Sequence, residues 1–318
     1  MATVSALALL TSLTMAAGAA AQTQVNIVSQ GEAPGGVPAN THYFKTIQEA
    51  VNASSAGAYV LIEPGTYDEE VTVTSAQSGI WIRGMNRNGV IIDGQHKVGN
   101  GIDIIDANNV WVENLTVRNF EFGEDCGDEE CGNGVWWDGR TGDGTIGAHG
   151  WYGNYLTAYD TGFKGGYGIF TSAETGGEFD HIYASGFADS GFYIGACQEC
   201  DASVKNAVME DNSLGYSGSN AGGRLTIEKS TFAHNTVGFS TDSENPYDSP
   251  SPQDGECNRP EQPSTPTPTI TSTQIQRCTI IRDDRFVDNN NLSVAPNGAT
   301  EIAPWGVGVE LAGDYADL

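Results

Sequence analysis

From Tyr59 onward, apolar and polar residues alternate in short runs, each ended by Gly, Asn, Asp or Ser. Ile80-Trp81-Ile82-Arg83 is followed by Val90-Ile91-Ile92-Asp93-Gly94, Ile102-Asp103-Ile104-Ile105, Val110-Trp111-Val112 and Leu115-Thr116-Val117. A two-residue alternation with turn punctuation predicts half-buried strands, and helical periodicity is absent from this region. One stretch differs. In Phe44–Val51, Ile47, Ala50 and Val51 fall on one face of an amphipathic helix.

The strands recur as a unit. A Gly followed by an apolar strand start appears at Gly79, Gly101, Gly134, Gly166, Gly191, Gly215, Gly238 and Gly306, spaced 22 to 25 residues apart where nothing is inserted. The Leu-x-x-Leu-x-Leu frame of leucine-rich repeats is missing, and propeller blades need longer units. Three short strands per unit fit one coil of a right-handed parallel β-helix, an all-β solenoid in which each strand pairs with its equivalent one coil away. Asn212, Asn235 and Asn289 follow equivalent strands and are expected to stack as a structural amide ladder. The helix at Ile47 would then cap the open end.

The residues around that helix carry a resemblance. Ile47-Gln48-Glu49-Ala50-Val51, then Tyr59-Val60-Leu61-Ile62, Pro64-Gly65-Thr66-Tyr67 and Val71-Thr72-Val73 resemble the start of the pectin-lyase-like β-helix superfamily. That superfamily holds pectate lyases, polygalacturonases, pectin esterases, alginate epimerases and NosD-type proteins. The resemblance implies the fold and an exported, polysaccharide-directed protein. It implies no particular chemistry, because the catalytic blocks of the lyases, polygalacturonases and epimerases are missing here; only Asp180-His181 echoes an acid–histidine pair.

Residues 1–21 read as a secretory signal with an A-x-A cleavage site, although the stretch lacks a leading Lys or Arg. No later stretch is apolar enough to span a membrane, so a secreted protein, extracellular or periplasmic, is expected. The six cysteines fall in local pairs, Cys126–Cys131, Cys197–Cys200 and Cys257–Cys278, read as three disulfides of an oxidising compartment. Zinc would need four ligands, and no second CxxC or HxxxH exists. The organisation expected is a signal (1–21), an N-terminal segment with the capping helix (22–57) and the solenoid (58–318). Inserted loops fall at 121–133 and 243–274, the latter rich in Pro, Ser and Thr. The last strand-like run, Gly306–Leu311, has no cap after it, which suggests a truncated C-terminus.

Charge narrows the partners. With 41 Asp+Glu against 14 Lys+Arg and a formal charge of -27, the chain is no nucleic-acid binder. A neutral glycan, or a uronan bridged by a cation or an Arg, suits such a surface. The expected partner is a polysaccharide or cell-surface glycan, bound by a monomer. The richest coil runs from Gly134 to Gly166. There Asp138, Arg140, Asp143 and His149 are candidates for acid, base and carboxylate-neutralising roles, and Trp137, Trp151 and Tyr152 for stacking on sugar. Trp and Tyr at alternating positions also predict that at least two of these rings point into the core. Asp125, Asp128 and Glu129 are candidate Ca²⁺ ligands, without the spacing of an EF-hand loop, and Ca²⁺ is the one cofactor this chemistry suggests. Two readings stay open. One is a polysaccharide lyase, hydrolase or epimerase. The other is a non-enzymatic binding protein or adhesin-like structural solenoid.

Overall fold

The computed structural model describes residues 23–32, 36, 38–123, 126, 131–140, 147–197, 200–219, 221, 224–242, 279–294 and 306–312. Its strands lie in three parallel sheets of ten, eight and eight strands, and neighbours within a sheet come from successive coils. This is a right-handed parallel β-helix, as the repeat predicts. Handedness follows from the right-handed preference of parallel crossovers.

The core consists of columns. Ile102, Val135, Ile169, Phe192, Tyr216 and Phe239 stand in register on consecutive strands of the third sheet. All six are buried. Each step along such a column is about 4.8 Å, so like side chains pack face to face down the axis. The second sheet adds Ala158, Ala184, Met209 and Phe232 in the same way.

The predicted Asn ladder is present. Asn212, Asn235 and Asn289 are buried at the corner after the second sheet. The Asn212 amide N–H donates to Asn235 Oδ1 at 2.9 Å and that of Asn235 to Asn289 Oδ1 at 3.1 Å. Their Nδ2 groups donate inward to Ala184 O, Met209 O and Phe232 O. The corner backbone is thereby satisfied without water.

The helix spans Ile47–Asn52 and buries Ile47, Ala50 and Val51. Its first N–H groups are held from outside: Glu69 accepts from Ile47 N at 2.9 Å and Gln48 N at 3.1 Å. The coil also reaches into the stretch expected to precede it. Val25–Val28 pairs with both Thr41–Phe44 and Tyr59–Ile62. The pattern hid this strand because its buried Asn26 is polar; Asn26 Nδ2 is satisfied by Ala50 O and Ser54 Oγ.

Two of the expected disulfides are formed, Cys126–Cys131 and Cys197–Cys200. The pair Cys257–Cys278, residues 1–21, the whole of the loop 243–274 and part of the loop 121–133 lie outside the described residues. No helix among the described residues is long and apolar enough to cross a membrane.

Candidate functional site

Alternation decides what each residue of Val135–Asp138 can do. Val135 and Trp137 point into the core, so Trp136 and Asp138 point out. Trp137 is fully buried, sends its Nε1 to Val110 O at 3.3 Å and meets Phe179 edge-on. Trp151 is also fully buried against Phe179. The stacking role expected for Trp137 and Trp151 is therefore corrected: both rings are core, as the expectation of inward rings allowed. The outward ring is Trp136.

On the outer face of the third sheet, Trp136, Phe170 and Tyr193 stand in register on three consecutive coils. Phe170 stacks between Trp136 at 5.0 Å and Tyr167 at 4.4 Å, with Tyr193 edge-on at 5.0 Å. These four rings form an aromatic cluster separate from the core. One coil earlier in the same column stands Asp103, paired with Trp136. Asp138 lies two residues along from Trp136, beside Ser172, whose Oγ accepts from Trp136 Nε1 at 3.2 Å.

Arg140 joins the two carboxylates. Its Nε lies 2.9 Å from Asp138 Oδ2 and its Nη2 3.9 Å from Asp103 Oδ2. The turn makes this possible. A Cβ on Gly139 would meet Ala173 O at 2.2 Å, so only glycine fits there. Arg140 then takes φ +49°, and its N–H donates to Asp138 Oδ1 at 2.8 Å.

The electrostatics separate the acids. Burial and then the Asp138 charge raise Asp103 to about 7, against the opposing pull of Arg140 and Asn100. Asp138 is ion-paired with the Arg140 guanidinium through Oδ2 and accepts the Arg140 backbone amide on Oδ1. Glu174, which feels the charge of Asp138, is fully buried and has no hydrogen-bond partner on either oxygen among the described residues. Burial, then Asp138 and Asp106, push its carboxyl well above the ordinary range.

The remaining candidates fall elsewhere. His149 is exposed on Ala148–Asn154 of the first sheet, paired with Thr175, whereas Asp103 and Asp138 stand on the third sheet. Its amide donates to Asn108 Oδ1. Tyr152 faces out from the same strand and stacks on Trp111 at 3.8 Å, continuing the row Tyr59, Trp81, Trp111. Asp143 and the candidate Ca²⁺ ligands Asp125, Asp128 and Glu129 lie outside the described residues. Among the described residues no group of three or more His, Cys, Asp or Glu is placed to hold a metal ion. Asp103 is legible in the sequence only as one of a row of acidic turn residues, and Trp136 is not singled out there as the outward ring. Counting inward and outward positions from Val135, and aligning Gly101 with Gly134, would have found both.

No family model matches the chain, and no curated protein matches it. Solved structures similar to it include a pectin methylesterase from Erwinia chrysanthemi. That match is 15% identical, covers 85% of this chain and 82% of that one, and has a TM-score of 0.46. A second is the A-module of a mannuronan C-5 epimerase from Azotobacter vinelandii, 12% identical over 85% and 91%, with a TM-score of 0.32. The parallel β-helix itself is established by the three sheets of this chain.

Proposed function

We propose that the protein is a polysaccharide-directed hydrolase whose site lies on the outer face of the third sheet. The observation that carries this reading is the pair Asp103 and Asp138. They share one guanidinium and stand at the end of an outward aromatic row, and burial beside the Asp138 charge raises Asp103 to about 7. A protonated acid beside a carboxylate anion is what hydrolysis of a glycosidic bond or a sugar ester uses. Asp103 supplies a proton to the leaving oxygen, and Asp138 acts as nucleophile or draws a proton from water. Trp136 and Tyr193, each 7% exposed at the margin of the ring cluster, offer the edges a sugar would meet, and the buried Phe170 and Tyr167 hold them in place. The elimination reading gives Arg140 the task of neutralising a uronate carboxylate, but its guanidinium already serves Asp138 and Asp103. Export, a monomeric state and a role for Ca²⁺ through Asp125, Asp128 and Glu129 belong to the same proposal.

The test is a panel of neutral, uronic and esterified polysaccharides incubated with wild type, Asp103→Asn and Asp138→Asn, with Ca²⁺ and with EDTA. Reducing ends, released alcohol or acetate, and unsaturated uronate absorbance are followed together. Reducing ends or released ester groups that vanish in both variants support the proposal. Unsaturated product, or turnover that survives both substitutions, refutes it. Binding without turnover moves the protein to the non-enzymatic reading.

A further inference from the structure

The acid–histidine pair Asp180-His181 takes no part in that site, yet it is built into a groove of its own. The groove, of about 400 Å³, opens between the first and second sheets and is lined by Arg87, Asn88, Thr157, His181, Tyr183 and Asn206 above an apolar floor of Ile182 and Val208. That volume is the size of a small-ligand site.

Three observations converge on it. The first is Arg87. Arg83, Arg118, Arg140, Arg224 and Arg282 each hold a carboxylate. Arg87 is half-buried and holds none among the described residues. Its Nε donates to Thr157 Oγ1 at 2.8 Å and its Nη2 to Leu156 O, so the guanidinium is fixed and Nη1 is left over. A fixed guanidinium without a counter-charge, in a protein of net charge -27, is a ready site for an anionic group.

The second is His181. Its Nδ1 lies 2.8 Å from Asp180 Oδ1, and Asn206 Nδ2 donates to the same oxygen at 2.7 Å. The Asp180 carboxylate is thus engaged within the wall. The opposite ring nitrogen, Nε2, is the one left to meet a ligand.

The third is the turn itself. The residue after each first-sheet strand from Val110–Glu113 onward is left-handed: Asn114, Tyr155, His181, Asn206, Lys229 and Asp283 take φ between +51° and +58°. Asn and Asp tolerate this, whereas an aromatic ring there is strained. Tyr155 takes it nonetheless, is 48% exposed, and stacks on His181 at 4.7 Å.

From these we infer that the groove between the first and second sheets is a second binding site, for a sugar residue that carries a carboxylate. Arg87 and His181 Nε2 receive the carboxylate, Asn88 and Asn206 meet hydroxyls, and the Tyr155–His181 stack borders the ring. Only the sugar part of this inference rests on the saccharide reading above. The residues of the two sites do not overlap.

The experiment is calorimetric titration of the full chain with a hexuronic acid, with methyl hexoside and with acetate. It is repeated on Arg87→Gln, His181→Asn and Asp138→Asn. Asparagine suits the left-handed backbone at 181, so His181→Asn keeps the fold even where Arg87→Gln loosens it. The expected result is hexuronate binding that weakens at least tenfold in Arg87→Gln and His181→Asn and is unchanged in Asp138→Asn. Absence of hexuronate binding overturns the inference. So do equal binding of the neutral hexoside, equal binding of acetate, or full retention in both groove variants. Loss of turnover in Asp138→Asn with groove binding intact shows two separate sites, whereas loss of both in that variant overturns the second one.

Discussion

Asp103→Asn is expected to make the protein more stable while removing its activity. Asp103 is largely buried and titrates near 7, against an ordinary value of 3.8. The folded state therefore keeps a proton that the unfolded chain has lost between about pH 4 and pH 7. Stability conferred by this group is present at acid pH and declines as pH rises through that window. A rise of roughly three pKa units corresponds to about 4 kcal/mol, an upper figure because the group is coupled to Asp138 and Arg140. Asparagine keeps the shape and removes the charge that burial penalises. The variant should gain up to about 4 kcal/mol at pH 8 and almost nothing at pH 4. At roughly 2 °C per kcal/mol for a chain of this size, the melting temperature at pH 8 rises by up to about 8 °C. Thermal and urea unfolding followed by circular dichroism at both pH values read this directly. Equal stability of the two proteins at pH 8, or the same difference at both pH values, would refute the reasoning.

Further outcomes follow from the same geometry. Turnover should fall above about pH 7 as Asp103 loses its proton, roughly tenfold per pH unit in kcat/KM, which a pH–rate profile reads. Trp137→Ala should cost about 3–5 kcal/mol in denaturant titration, and Trp136→Ala, which opens the buried ring cluster, should lower the unfolding midpoint as well as raise KM, whereas Trp136→Phe should keep most of the stability. Asn235→Ala leaves the Asn212 amide without its acceptor and should cost about 1–3 kcal/mol by urea unfolding. Replacing Cys197 and Cys200 together by Ser, which opens that short loop and leaves Cys126–Cys131 in place, should cost about 2 kcal/mol, seen as a small shift in melting temperature.

The fold was legible because its determinants are local and repeated. Gly101, Gly134 and Gly166 start equivalent strands, and Asn212, Asn235 and Asn289 close equivalent corners, so period alone reveals the coil. Asp138 and Arg140 were legible for a similar reason, since two residues on one turn meet whatever the register. Asp103 was not, because its partnership with Trp136 depends on how two coils align across an insertion. Trp137 and Trp151 show the complementary difficulty. An aromatic beside an acid suggests a sugar site, but only the parity of the position decides whether the ring faces solvent or core. The strand Val25–Val28 was missed because a satisfied buried amide, Asn26, occupies an inward place where an apolar residue was expected.

The stacking of equivalent positions has a consequence for how such a molecule can change over generations. Asp103, Trp136, Asp138 and Arg140 belong to two adjoining turns of the spiral, and Phe170 and Tyr193 to the next two. Whole turns added or lost on either side would lengthen or shorten the rod and leave this grouping intact. A single residue gained inside Ile102–Ile105 or Val135–Asp138 would reverse which side chains face outward and dismantle it. Duplication of entire turns is therefore the tolerated currency of variation, and point insertion within these two strands the forbidden one.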